Sequence, residues 1–170
     1  MRLLVIRHAP AEDRAEFAKT GLEDSERPLT KAGERKMRNA ACGIRSLVPA
    51  LDMLATSPYA RAARTAQLVA DAYDGIAPQP VRSLVPGGSR HELLRWLREE
   101  ANPAATVAVV GHEPDVSELV AWLTTGTPEA WMTFAKGGAC LLEWDGRPPA
   151  RPGSAQLAWY LRRSQLARLA

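Results

Sequence analysis

Two short segments restrict this chain more than any others: residues 3–6, LLVI, and residues 106–110, TVAVV, are apolar runs rich in branched side chains with no polar alternation. A strand that presents apolar groups in both directions has to be covered on both faces, as in the middle of a parallel sheet. Each run stops just short of a histidine, at Arg7-His8 and at Gly111-His112. The fold must therefore supply two layers of helices, and the sequence around the runs contains them.

Thr30 is suited to cap a helix through KAGERKMRNAACGIRSLV, with Met37, Ala41, Ile44 and Leu47/Val48 on one face and Pro49 closing it. Residues 51–56 read as a second strand, and Ser57-Pro58 opens a helix that runs to about Tyr73. Further on, residues 81–84 fit a short strand, while residues 90–100 carry Leu93, Leu94 and Leu97 at helical spacing. Helical spacing resumes over residues 114–123. ACLLEWD and AQLAWYL then read as two more strands joined by the proline-rich RPPARPG, and residues 162–170 as a short terminal helix with a basic face, either solvated or facing a partner. Residues 12–28 lack apolar periodicity and read as an exposed excursion next to the first strand end. Strands alternating with helices predict one α/β domain over residues 1–170, a three-layer α/β/α sandwich with a mainly parallel central sheet. Such sheets carry their sites beyond the carboxyl ends of the strands.

Several function classes are disfavoured. The 22 Lys and Arg residues outnumber the 19 Asp and Glu residues for a net charge of +3, but the basic residues are scattered, so no nucleic-acid partner is expected. Cys42 and Cys140 stand far apart with no CxxC pair, which fits reduced cytoplasm rather than a disulfide framework. The N-terminal apolar run is shorter than the roughly 7 to 15 residues of a signal-peptide core, so neither export nor a membrane span is expected. GxGxxG and GxxxxGK[ST] are both missing, and three histidines without paired spacing make a poor metal site. The expectation is an enzyme without metal or cofactor.

What remains is a set of basic groups at one sheet edge: Arg7-His8, Arg61 in SPYARAARTA, and His112 in GHEP. A lone histidine at a strand end usually does no more than bond backbone. Two histidines and two arginines converging call for an anion, because guanidinium forks match phosphate oxygens and stay charged. A neutral imidazole adds a nucleophile, and arginine charge beside it favours the neutral form. Arg64 reads as a surface ion-pair residue, Thr30 and Lys31 as capping and packing residues, and Ser57 and Pro58 as the turn presenting Arg61.

The segments RHAPAE, RPLTKAG, TSPYARAARTA and VVGHEP, in that order across residues 7–114, resemble the histidine phosphatase superfamily, and within it the SixA-type phosphohistidine phosphatase branch. The resemblance implies a phosphoglycerate mutase-like fold. It also implies His8 as phosphoryl acceptor, Arg7 and Arg61 as ligands of the phosphoryl group, and His112 as the group completing the pocket and stabilising the transition state. Ala9 departs from the usual RHG triplet, and a modest adjustment of the backbone is expected there. No mid-chain glutamate stands where mutase-like members carry a general acid; Glu12, Asp13, His91, Glu92 and Glu113 remain candidates to approach the leaving group. The resulting expectation is a phosphatase acting on phosphohistidine of a phosphorylated protein domain. A phosphatase of small phosphate esters and a phosphate-binding module without turnover are the alternatives.

Overall fold

The computed structural model describes residues 1–101, 106–144 and 151–170. Its centre is a six-stranded sheet in the order β3-β2-β4-β1-β5-β6. The strands are β1 (Arg2–Arg7), β2 (Met53–Thr56), β3 (Gln79–Pro80), β4 (Thr106–Gly111), β5 (Ala139–Glu143) and β6 (Gln156–Leu161). β1, β2, β3 and β4 pair in parallel, whereas β5 lies antiparallel to β1 and β6 antiparallel to β5. The predicted two further strands are present, and the sheet is mostly parallel. Most of the proline-rich joint predicted between them, at 147–150, lies outside the described residues.

The two apolar runs are the middle of the sheet. Leu3, Leu4, Val5 and Ile6 are wholly buried, as are Val107, Ala108, Val109 and Val110. Alternate side chains go to opposite layers. Leu3, Val5, Val107 and Val109 share one core with Leu93, Leu94 and Leu97 of α4 (Arg90–Glu99) and Val116, Val120 and Leu123 of α5 (Asp115–Thr125). Leu4, Ile6, Ala108 and Val110 share the other with Met37, Ala41 and Ile44 of α2 (Lys31–Leu47) and Ala62, Ala66 and Val69 of α3 (Ala60–Ala72). This is the expected three-layer arrangement. Burying each large aliphatic side chain contributes about 1.5–3 kcal/mol.

One element differs from expectation. Residues 81–84 are not a strand: the ladder to β2 holds only Gln79 and Pro80, and Arg82–Leu84 form a 3₁₀ turn. Val81 and Leu84 both enter the core, and that three-residue spacing suits a turn better than a strand, where they would face opposite ways. The excursion after β1 contains a short helix, α1 (Arg14–Ala18), and a 3₁₀ turn over Asp24–Glu26. It is tied back at its root by Glu12 N donating to Pro28 O at 3.0 Å. The terminal helix α6 is limited to Arg163–Leu166, with Leu166 buried against α2. No helix among the described residues is long and apolar enough to cross a membrane.

Gly43 of α2 shows how closely α6 is seated, since a Cβ there would lie 1.9 Å from Leu166 O. Alanine inside a helix ordinarily stabilises by about 1 kcal/mol over glycine. Here Gly43→Ala is expected to destabilise by about 1–3 kcal/mol through overpacking, read from denaturant unfolding. A stabilised variant would mean that α6 does not dock as described.

Candidate active site

The site follows from strand register. In the parallel ladder Arg7 stands opposite Gly111, so the next residues of β1 and β4, His8 and His112, emerge side by side at the carboxyl edge. Their ring centroids are 5.1 Å apart. β2 ends level with them, Thr56 opposite Val110, and Ser57 N donates to Val110 O at 3.0 Å. Ser57 and Pro58 lead into α3, whose second residue is Arg61.

His8 is 7 % exposed. Its Nδ1 lies 2.7 Å from Ala9 O, and because a carbonyl only accepts, Nδ1 carries the proton and donates. The neutral ring then keeps its lone pair on Nε2. Burial pulls the His8 pKa down from 6.5 to about 4; the Ala9 hydrogen bond opposes this, and the charges of Arg61, Arg7 and Arg27 reinforce it. His112, 2 % exposed, falls to about 3 through burial, then through His8 and Arg61. Its Nε2 is 2.9 Å from Ser57 Oγ. Ser57 Oγ also accepts from Tyr59 N, and when its own hydrogen is given to His112 Nε2 the ring carries its proton on Nδ1. That buried Nδ1 has no partner among the described residues. Ser57 therefore does more than shape a turn: its hydroxyl is a hydrogen-bond partner of the His112 ring.

The loop after His8 is braced from two sides. Ala9 N donates to Thr65 Oγ1 at 3.0 Å, and that hydroxyl donates to Arg61 O at 2.7 Å. Thr30 N donates to Pro10 O at 3.1 Å, while Thr30 Oγ1 caps α2 by accepting from Gly33 N. A Cβ at Gly33 would lie 2.2 Å from Pro10 O, which accounts for the glycine in RPLTKAG. Asp74 is the only non-glycine with positive φ among the described residues, so Ala9 does not occupy the left-handed backbone region. Lys31 is exposed rather than packed, whereas Arg64 pairs with Glu34 on the surface at 2.8 Å as expected.

Arg7, His8, Arg61 and His112 line one cleft of about 510 Å³, together with Glu12, Arg14, Asp24, Arg27 and Lys136 among others. Arg7 donates to Phe134 O, and Phe134 N in turn donates to the Glu113 carboxylate. Arg61, 4 % exposed, donates from Nη1 to Asp24 O at 2.7 Å and from Nη2 to Asp24 Oδ2 at 3.0 Å, with its guanidinium over the Tyr59 ring. Burial lowers both arginines from the ordinary guanidinium value, opposed by Glu113 at Arg7 and by Asp24 at Arg61, and guanidinium remains charged throughout. Nε of each is buried without a partner among the described residues.

Of the acid candidates, Asp13 is engaged in capping α1 through Oδ1, and both Glu113 oxygens accept from Ser117 Oγ. His91 and Glu92 lie on α4 and do not line the cleft; the His91 ring packs on Trp122. Glu12 does line it. Residues that the sequence did not single out are Asp24, Arg14 and Lys136, which carry no motif signal, and Arg27, which begins RPLTKAG.

Residues 3–84 match the histidine phosphatase superfamily (branch 1). An uncharacterized protein of Picosynechococcus sp. is 37% identical over 139 residues, covering 81% of this chain and 82% of that one. Phosphohistidine phosphatase SixA of Escherichia coli is 30% identical over 146 residues, covering 84% and 87%. Among solved structures, the protein histidine phosphatase SixA complexed with tungstate superposes with a TM-score of 0.81 at 26% identity, over 98% of this chain and 99% of that one. An alpha-ribazole phosphatase from Shigella flexneri shares the fold at 18% identity and a TM-score of 0.72, over 96% and 97%.

Because both histidines titrate below 6.5, the unfolded chain takes up protons first on acidification. Stability from keeping them neutral is complete above about 6.5 and is lost as the pH falls through about 4. The unfolding temperature is expected to drop across that window, and to drop less in a His8→Asn/His112→Asn double variant. Proton NMR of the imidazoles gives the midpoints directly.

Proposed function

The chain belongs to the histidine phosphatase superfamily, and from that premise we propose that it hydrolyses phosphohistidine on a protein substrate through a phosphoryl intermediate on His8. The observation that carries this reading is the His8 tautomer. With Nδ1 held by Ala9 O, an uncharged Nε2 is the nucleophile at neutral pH, in a cleft shared with Arg7, Arg61 and His112.

In the first step His8 Nε2 attacks phosphorus, the substrate's phosphorus–nitrogen bond breaks, and the departing imidazole takes a proton from solvent. In the second step water attacks the phosphoryl group on His8, releasing inorganic phosphate and restoring the ring. Arg7 and Arg61 hold the equatorial oxygens, and His112 donates from Nδ1 to the charge that develops on them. The fixed cations already supply that charge, so the reaction proceeds without a metal. Asp13 and Glu113 line the cleft but are engaged as acceptors by the α1 backbone and by Ser117, which leaves little acid machinery for a poor leaving group. A phosphorylated imidazole is a good one once protonated.

Likeness to the phosphohistidine phosphatase SixA of Escherichia coli supports phosphohistidine as the substrate, and a phosphorylated protein domain as partner and a signalling role are part of the same proposal. The unpaired Cys42 and Cys140 fit the cytoplasm. A second reading, turnover of small phosphate esters, is favoured by Glu12, whose side chain lines the cleft with no hydrogen bond or ion pair among the described residues. The binding-module reading is weakened, because Ala9 does not occupy the left-handed backbone region.

The test is phosphate release from a phosphohistidine protein and from a panel of phosphate esters, with chelator present, by wild type and His8→Ala. Preferential release from the protein is expected, falling by about a thousandfold or more in the variant. Preference for an ester would change the substrate, activity lost to chelator would bring in a metal, and activity surviving His8→Ala would overturn the mechanism.

A further inference from the structure

Asp24 stands out because three arginines, two from its own excursion and one from α3, converge on its one carboxylate. Arg61 Nη2 donates to Oδ2 at 3.0 Å, Arg27 Nε donates to Oδ1 at 2.8 Å, and Arg14 Nε lies 3.7 Å from Oδ1. All four residues line the cleft that holds His8. Burial pushes the Asp24 carboxyl up, but the Arg27 hydrogen bond and the charges of Arg61, Arg27 and Arg14 outweigh it and hold the group below its usual range. Aspartate is thus a firm anion at every working pH.

A carboxylate and a phosphoryl group ask for the same thing, a guanidinium fork. In the free protein both terminal nitrogens of Arg61 donate to Asp24, one to its carboxylate and one to its backbone carbonyl. We propose that Asp24 is an internal competitor for the phosphoryl site, whose carboxylate occupies Arg61 and Arg27 and yields to the substrate phosphoryl group, so that product phosphate is held weakly and leaves. This inference rests on the reading of the cleft as a phosphoryl site.

The surroundings suit such an exchange. Asp24 opens a three-residue 3₁₀ turn within the exposed excursion, and its side chain is 30 % exposed, so it has water to turn into. Arg14, 80 % exposed, offers the displaced carboxylate a partner at the cleft mouth. Arg61, by contrast, is fixed: it is buried, stacked on Tyr59, and its backbone carbonyl is held by Thr65. The mobile partner is therefore the aspartate and not the arginine. A site containing four arginines and two histidines without such a counter-anion would bind inorganic phosphate tightly and be inhibited by its own product.

A purely positioning role for Asp24 makes the opposite prediction, since losing an orienting partner weakens a ligand's hold. The experiment is calorimetric titration of inorganic phosphate into wild type, Asp24→Asn and Asp24→Ala, with the unfolding temperature of each recorded. Both variants are expected to bind phosphate about tenfold tighter than wild type. A gain of affinity is not something a damaged fold produces. Equal or weaker binding by a folded variant would overturn the competitor role and leave the proposed function standing. Wild type that neither binds phosphate nor releases it from a phosphohistidine protein would overturn the functional reading, and this inference with it.

Discussion

Because β1 and β4 run parallel and in step, with Arg7 opposite Gly111, each strand delivers a histidine to the same point one residue later. A slip of one residue would turn every side chain of β1 to the other layer, exchanging the partners of Leu3 and Val5 with those of Leu4 and Ile6. The two cores therefore lock the register, and the register places the imidazoles 5.1 Å apart. The bracing of Pro10 by Thr30 and Gly33, and of Ala9 by Thr65, then preserves locally what the ladder established.

Electrostatics at that edge form a balance. Burial would discharge the histidines, and the arginines drive them the same way, so the nucleophile and the donor are both neutral at ordinary pH. The arginines themselves need counter-charge, and the chain provides it through Asp24 at Arg61 and Glu113 at Arg7. These carboxylates differ in kind. Glu113 is tied to Ser117 and to the Phe134 backbone, whereas Asp24 sits on an exposed excursion and is held mainly by the arginines themselves.

Much of this was legible in the residues. Unbroken apolar runs name central strands, helical spacing of Met37, Ala41 and Ile44 names a covering helix, and the positions of Arg7, His8, Arg61 and His112 follow from where strands end. The misread segment, 81–84, failed because four residues cannot distinguish a strand period from a turn period until it is known which side chains are buried. His91 and Glu92 looked available to the site only because sequence distance says nothing about layers; α4 lies across the sheet among the residues of the other core.

By itself the sequence determined the class of fold, the two buried strands and the four basic residues at their ends, since each depends on local pattern and on residue types that physics allows few uses. Tertiary structure alone decided the hydrogen-bond partners of the two histidine rings, because Ala9 O and Ser57 Oγ reach them through backbone and strand geometry. It alone decided, too, that Asp24 should meet Arg61. That contact joins an irregular excursion to a helix, where no periodicity runs, and only the folded chain brings the two charges within 3.0 Å.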